Sequence, residues 1–563
     1  MSTASVAADR LTPRPRKLAL ERVAAWSTEA WCSIAVVVLF IGITCLWLSL
    51  DRSIPVFDAG LHLALTFDVY QYLGAGHIGQ ALTLSYPYPP FSYLVGSLGI
   101  LIGGMGVDQP IIAENLVFVP LLALGCYNVG RIAFGPLTGL LAVVIALGSP
   151  LITAQFHVFM TDAPETAMVA VSVWLLLASE RFSRPGISAA AGVAVGLGMN
   201  TKEPFGFFVA GVILVMLVRG GWRSWRGLLA FAIPALIVIL PWYVSQLSHV
   251  GTLAEGAALA SGRGFEGIPG VAPARFSGAN FTWYFWNIIN AQLFAPLFAF
   301  SLVGGIWTIF SLARKRPSSP VAWELIVGAV VSWIALTETF LHDTRYGMPL
   351  LLYLAVFGSC WIERLARRPR LIAAAVLVVI AIANTLTTSF GVGRVLAITL
   401  PGAHSQPIQR PGLVTLFSNG GFLVAGPKRD GDIPGLLQIL RREGTQLMAW
   451  VEIGNNEPAF ETAFFSEAGL TALTVAAGMR SGHELPLTEG TTAILGNGPI
   501  LSGEPPPCVR LEDGSGVWIK LGEALPALKV GPGVWILART PHPQPVQDYC
   551  PFHHPQFYSL SAR

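Results

Sequence analysis

Apolar residues dominate the chain in long unbroken runs, separated by short polar and charged segments. The runs at 31–50, 112–131, 137–154, 165–180, 187–200, 205–219, 228–247, 287–312, 320–340, 346–362 and 371–390 approach the length of one bilayer crossing. An α-helix needs about 20 apolar residues for that. The pattern predicts a polytopic α-helical membrane protein with about eleven spans. Residues 1–30 form a basic tail ahead of an uncleaved first helix, since the run from Trp31 is too long for the core of a secretory signal.

One further apolar stretch, 91–106 (FSYLVGSLGILIGGMG), decides the orientation of everything after it. Cytoplasmic loops carry an excess of Lys and Arg. If 91–106 does not cross, the basic tail, Arg131, Arg181 and Arg184, Arg219, Arg223 and Arg226, Arg314 to Arg316, and Arg364 to Arg370 all fall on one side. The other side then collects Asp51, Asp58, Asp68, Asp108, Asp162, Glu165, Glu203, Glu255, Glu266 and Asp343. If it crosses, every later basic loop opposes the basic N-terminus. The stretch is also short and glycine-rich, which suits an interfacial helix. The N-terminus is therefore expected in the cytoplasm, the loops 51–111 and 248–286 outside, and the C-terminus outside.

After about residue 391 the alternation changes. QLMAWVE (446–452), TALTVAA, VWIKL and VWILA read as strands. So does GFLVAGP (421–427), while 432–444 and 457–469 read as helices, giving a βαβ pattern and a C-terminal extracytoplasmic α/β domain over 391–563. Of six cysteines, Cys508 and Cys550 lie in that domain, where an oxidising compartment favours a disulfide. Cys32, Cys45, Cys126 and Cys360 sit in or beside spans as small apolar fillers.

Composition narrows the function. Hydrophobic residues make up 53% of the 563 and charged ones 12%, about half the usual share. A net charge of +3 gives no basis for nucleic-acid binding. Ionisable groups next to a bilayer are costly and mark functional sites. Four motifs collect them on the outer face. VFDAGLHL (56–63) places Asp58 and His62 four residues apart, on one face of a helix, where a carboxylate suits a general base or a metal ligand. FMTDAPET (159–166) carries Asp162 and Glu165, with Asp162 also suited to cap a helix whose proline lies just inside. MNTKEPF (199–205) sets Lys202 and Glu203 in a tight turn, either as an internal pair or as an anion site. LHDTRYGMP (341–349) packs His342, Asp343, Arg345 and Tyr346 together, and arginine suits bidentate contact with phosphate. YPYPPFSYL (86–94) rigidifies the entry to the interfacial segment.

Carboxylates with phosphate-binding cations on an outer face point to an anionic lipid donor. No P-loop or dinucleotide fingerprint is present near the membrane region. A lipid-linked-sugar transporter or flippase and a non-catalytic envelope-assembly protein are the alternatives. A transporter would more often show inverted repeats.

In order along residues 31 to about 365, VFDAGLHL, YPYPP, RIAFG, FMTDAPE, GLGMNTKEPF and HDTRYGMPL together resemble the GT-C superfamily of membrane glycosyltransferases, in particular bacterial proteins similar to the protein O-mannosyltransferases and the aminoarabinose transferase. The resemblance implies inverting transfer from a polyprenyl-phosphate sugar donor to a glycan, lipid or protein acceptor, at a bacterial inner membrane. It implies Asp58 as general base, Asp162 as the second-loop acid, and Lys202 and Arg345 toward the donor phosphate with Tyr346 and His342 beside them. His62 and Glu165 are left as acceptor or metal contacts, with a divalent cation as the cofactor to consider. Leu84, Ser85 and Tyr86 stand where the aminoarabinose transferase would have acidic and lysine residues, which counts against a metal site of that type.

Overall fold

A computed structural model describes residues 27–51, 55, 57–83, 88–104, 106–247, 277–314, 319–337, 342–401, 412–418 and 427, and after these only the backbone of eight short strands. The expected strand 421–427 and the two expected C-terminal helices lie outside the described residues, apart from residue 427. So does Cys550, and with it the proposed disulfide.

The membrane part is a bundle of helices. In chain order they are α1 (Thr28–Leu50), α2 (Phe57–Gly74), α3 (Ile78–Thr83), α4 (Phe91–Gly103), α5 (Asp108–Ala133), α6 (Pro136–Leu147), α7 (Pro150–Phe156), α8 (Asp162–Ala178), α9 (Pro185–Met199), α10 (Phe205–Val218), α11 (Trp225–Ser245), α12 (Gly278–Asn287), α13 (Phe294–Ala313), α14 (Ala322–Thr337), α15 (Leu351–Cys360) and α16 (Arg367–Phe390). Among the described residues, six helical stretches are long and apolar enough to cross a membrane: α1, α5, α11, α13, Arg345–Arg364 and α16. Shorter apolar helices are α4, α9, α10 and α14. With 13 residues, α4 rises only about 20 Å, short of the ~30 Å hydrocarbon core.

The helices interlock through small residues, as packing within a lipid solvent requires. A Cβ on Gly125 of α5 would lie 2.4 Å from the Ala170 backbone of α8. One on Gly304 of α13 would collide with the Phe357 carbonyl of α15. These contacts surround a core in which Phe118, Leu122, Val129, Ile145, Val169 and Val212 are fully buried.

Three stretches depart from straight helices. The run 137–154 is two helices bent by 63° at Gly148 and Ser149, where Pro150 opens α7 and Ser149 Oγ caps it. The run 287–312 begins with a π-turn, Ile288–Gln292, followed by Phe294 at φ +53° before α13 starts. The run 346–362 opens as a 3₁₀ turn, Arg345–Leu350. The first outer loop is structured as well. The middle of α2, from His62 to Phe67, is buried, with Leu63, Phe67 and Val69 inaccessible to solvent, and a second small core joins it to Trp47, Tyr93 and Ile111.

After α16, Gly391 ends the helix in the left-handed region. Strands β1 (Leu396–Thr399) and β2 (Leu413–Phe417) form an antiparallel ribbon. Further along, β3 (Leu447–Val451), β4 (Thr471–Thr474) and β5 (Thr492–Leu495) pair in parallel. Strands β6 (Cys508–Arg510), β7 (Trp518–Lys520), β8 (Leu528–Val530), β9 (Gly533–Arg539) and β10 (Pro545–Val546) follow. The five-stranded sheet runs β4-β3-β5-β9-β8, and β10-β7-β6 form a separate one. Parallel neighbours need crossover connections. The strands expected at 446–452, TALTVAA, VWIKL and VWILA overlap β3, β4, β7 and β9.

Candidate functional site

Four chain segments bring their polar residues to one end of the bundle: the start of α2, the start of α8, the α9–α10 turn and the turn before the 3₁₀ segment. The Arg345 guanidinium is their common point. Its Nη2 donates to Asp58 Oδ2 at 2.9 Å and to Asp343 Oδ2 at 2.6 Å, and its Nε donates to the same Asp343 oxygen at 3.0 Å. Asp343 Oδ1 accepts from the Arg345 backbone N–H at 2.9 Å, so the carboxylate clamps both ends of the residue. Asp343 is nearly buried, while the Asp58 side chain is 43% exposed. Asp58 therefore meets solvent at the rim, and Asp343 forms the floor.

The second pair is buried. Lys202 Nζ donates to Asp162 Oδ1 at 2.5 Å, with side-chain exposures of 8% and 1%. The ammonium also lies 4.5 Å from the centre of the Tyr346 ring, a cation–π contact next in sequence to Arg345. Burial works against the Lys202 charge, yet Asp162, then Tyr346 and Glu165, outweigh it and the ammonium is held more strongly than usual. Asp162 also acts electrostatically on Arg345. The two pairs thus form one alternating network of two cations and three carboxylates.

Local chemistry fixes each turn. Asn200 donates from Nδ2 to the Gly196 and Val238 carbonyls, and Tyr243 Oη donates to the Met199 carbonyl, which anchors the end of α9 onto α11. The Phe91 N–H donates to the Asn200 carbonyl, joining α4 to the Lys202 turn. At α8 the expected cap differs. The helix begins at Asp162 itself, Thr161 is the cap position, and no side-chain cap bond forms. The Asp162 carboxylate serves Lys202 instead. Likewise Lys202 pairs with Asp162, not with its neighbour Glu203.

His62 is buried one turn after Asp58. Its Nδ1 lies 2.8 Å from Tyr93 Oη, and its ring meets Tyr88 edge-on. It interacts electrostatically with Asp58, Asp162, Lys202 and Arg345. Glu165 is buried one turn after Asp162 and bears on Lys202 and Asp162. His342 faces another way. It stacks on Tyr284 and meets Trp283 edge-on, both from α12, and its burial lowers its pKa from 6.5 to about 4. The structure thus groups Asp58, His62, Asp162, Glu165, Lys202, Arg345 and Tyr346, and sets His342 against an aromatic wall.

Two participants were not singled out from sequence. Asp343, read only as part of its motif, is the principal anchor of Arg345. Glu114 of α5 is fully buried and close enough to Asp162 to interact with it; the signal was an acid inside an apolar run. Among the described residues no group of three or more His, Cys, Asp or Glu side chains converges on a metal position. Three of the carboxylates are paired with cations, Asp58 and Asp343 with Arg345 and Asp162 with Lys202.

A family model described as dolichyl-phosphate-mannose-protein mannosyltransferase matches residues 88–244, a span that includes Asp162 and Lys202 but neither Asp58 nor Arg345. Apo ArnT from Cupriavidus metallidurans superposes with a TM-score of 0.55 at 13% identity, over 90% of this chain and 98% of that one. The undecaprenyl-phosphate-bound ArnT of the same organism gives 0.47 at 18% identity, over 63% and 70%. The Archaeoglobus fulgidus oligosaccharyltransferase tethered with an acceptor peptide gives 0.45 at 12%, over 80% and 65%. No curated protein sequence matches the chain. The resemblance to GT-C membrane glycosyltransferases, read first from ordered motifs, is thus borne out by a family match and by the fold shared with apo ArnT.

Proposed function

We propose that this chain is an inverting glycosyltransferase of the bacterial inner membrane that moves a sugar from a polyprenyl-phosphate donor to an acceptor hydroxyl on the extracytoplasmic face. The observation that carries it is the Asp58–Arg345–Asp343 triad beside the Lys202–Asp162 pair, a cationic floor with an exposed carboxylate at its rim. The charge distribution of the loops supports an outward-facing site, with α4 lying at the interface, an odd number of crossings near eleven, and residues 391–563 outside.

Arg345 and Lys202 face the donor phosphate. In the resting site both are neutralised by carboxylates, so an arriving phosphate competes for them. Arg345 keeps its two bonds to Asp343 and exchanges the more exposed one, to Asp58, for phosphate. That exchange frees Asp58 to accept the acceptor's proton as the acceptor oxygen attacks the anomeric carbon. The carbon–oxygen bond to phosphate breaks, and the lipid phosphate leaves with its developing charge offset by the two cations. Asp162 holds Lys202 in place, and His62 and Glu165 line the space where acceptor or sugar would sit.

The test is transfer by the purified chain in vesicles holding polyprenyl-phosphate sugars, together with analysis of envelope glycans from cells with and without it. Donor hydrolysis or transfer that persists at the wild-type rate in Asp58→Asn removes the proposed base. Loss of an envelope glycan that Asp58→Asn restores would instead indicate a non-catalytic assembly role.

A further inference from the structure

Three broken helical runs meet at one residue, Gln292. Its backbone carbonyl accepts from Ser149 Oγ at the 63° bend between α6 and α7. Its side-chain Nε2 donates to the Thr344 carbonyl at 3.4 Å, within the Asp343–Arg345 turn. It sits against Gly347, where an added Cβ would lie 2.5 Å from that Nε2. Gln292 is 1% exposed. The π-turn that presents it is closed by the Leu293 N–H donating to the Ile288 carbonyl at 2.9 Å, five residues back. Phe294 then takes φ +53°, a conformation that a bulky side chain adopts only when its surroundings impose it. Two residues before Gln292, Asn290 Oδ1 accepts from both the N–H (3.1 Å) and the hydroxyl (2.8 Å) of Thr415 in β2.

A regular helix through 288–294 would rotate these side chains off their partners. The inserted residue of a π-turn, a feature that recurs at functional sites, points Asn290 at the ribbon and Gln292 at the turn that carries Arg345. We infer that the π-turn Ile288–Gln292 is the bracket that holds Arg345 in register for its ligand, with Gln292 as a positioning residue acting through Thr344. Asn290 fastens the same bracket to the β1–β2 ribbon that leads into the C-terminal strands. The inference rests on the transferase reading only for what Arg345 binds.

Full-length protein in detergent, as wild type, Gln292→Leu, Arg345→Ala and the double variant, tests it with undecaprenyl phosphate as the probe. Leucine keeps the volume and removes the amide donor. Amide hydrogen exchange in residues 342–350 should accelerate about tenfold in Gln292→Leu without ligand, through local opening. Undecaprenyl phosphate should bind about tenfold more weakly to Gln292→Leu, and Gln292→Leu should cost nothing further in the Arg345→Ala background. A purely structural residue would weaken both backgrounds equally, and that result overturns the inference, as does unchanged exchange at 342–350. If Gln292→Leu does not fold, Asn290→Ala is read by the same exchange measurement with the same expectation. Wild type that binds no undecaprenyl phosphate refutes the donor assignment, and the exchange result alone then decides the bracket.

Discussion

Asp58→Asn separates base from binding site more cleanly than any other change. The amide keeps the side-chain shape and removes the proton acceptor, which is worth about 10²–10⁴-fold in rate. Its effect on donor affinity follows from the Arg345 contacts. Arg345 holds Asp343 through two nitrogens at 3.0 and 2.6 Å, and Asp58 through one at 2.9 Å. Asp58 is 43% exposed, so solvent screens that ion pair and its worth is at most about 1 kcal/mol. Removing the charge relieves phosphate of a competitor, so undecaprenyl phosphate should bind the variant as well as wild type or up to about fivefold tighter. Turnover with a polyprenyl-phosphate sugar and equilibrium binding of the lipid phosphate are the two assays. Turnover within tenfold of wild type refutes Asp58 as base, and affinity weakened more than tenfold refutes the exchange of Arg345 from Asp58 to phosphate.

Asp343→Asn should weaken lipid-phosphate binding more than Asp58→Asn does, because it removes the floor of the Arg345 clamp; equal effects in a binding titration contradict that ranking. Lys202→Met leaves Asp162 buried without its cation, at a cost of about 3–5 kcal/mol, and should lower the thermal midpoint further than Lys202→Arg does; a midpoint unchanged from wild type would show that the pair is not structural. Gly304→Ala forces α13 away from the Phe357 carbonyl and should cost about 1–3 kcal/mol, read as a lower midpoint with Asp58, Asp162, Lys202 and Arg345 untouched. His342 has its folded pKa depressed to about 4 by burial, below its unfolded value. Its neutral form contributes stability in full above about pH 6.5, and that contribution fades as pH falls toward 4. His342→Phe should flatten the acid limb of a stability–pH curve, and an unaltered limb argues against His342 as its source.

Much of the site was legible because lipid makes charge expensive. A carboxylate or cation at the bilayer edge survives only with a partner or a task, so Asp58, Asp162, Lys202 and Arg345 stood out from sequence alone. Their pairing did not, since Asp58 and Arg345 are joined only by the fold. Asp343 escaped because it lies two residues from the arginine it anchors, where a sequence motif shows proximity but not which carboxylate clamps. The burial of α2 within loop 51–111 was not read, because its apolar residues follow a helical spacing that a search for full-length spans passes over. The breaks at Ser149, Ile288–Gln292 and Arg345 were invisible to hydropathy, which registers how apolar a run is and not whether its backbone stays straight. The local signs were prolines: Pro150 after Gly148 and Ser149, Pro296 just past the π-turn, and Pro349 within the 3₁₀ turn.

Those breaks explain how an apolar bundle can carry a polar site. A continuous helix satisfies its own backbone and offers little to a ligand at its middle, whereas irregular backbone at membrane depth is tolerated only where protein or a wet cavity satisfies it. Here Ser149, Gln292 and Thr344 satisfy one another across three interrupted segments. The freed geometry lets the 3₁₀ turn at Arg345–Leu350 set Arg345 against Asp58 and Tyr346 under Lys202. Straightening any one segment should therefore disturb the others. Ser149→Ala, which removes a donor far in sequence from Arg345, should loosen the 342–350 turn in hydrogen exchange as Gln292→Leu does, though less, because the Thr344 bond remains. Protection at 342–350 identical to wild type in Ser149→Ala would mean that the bend and the arginine turn are independent, and that Gln292 serves only the latter.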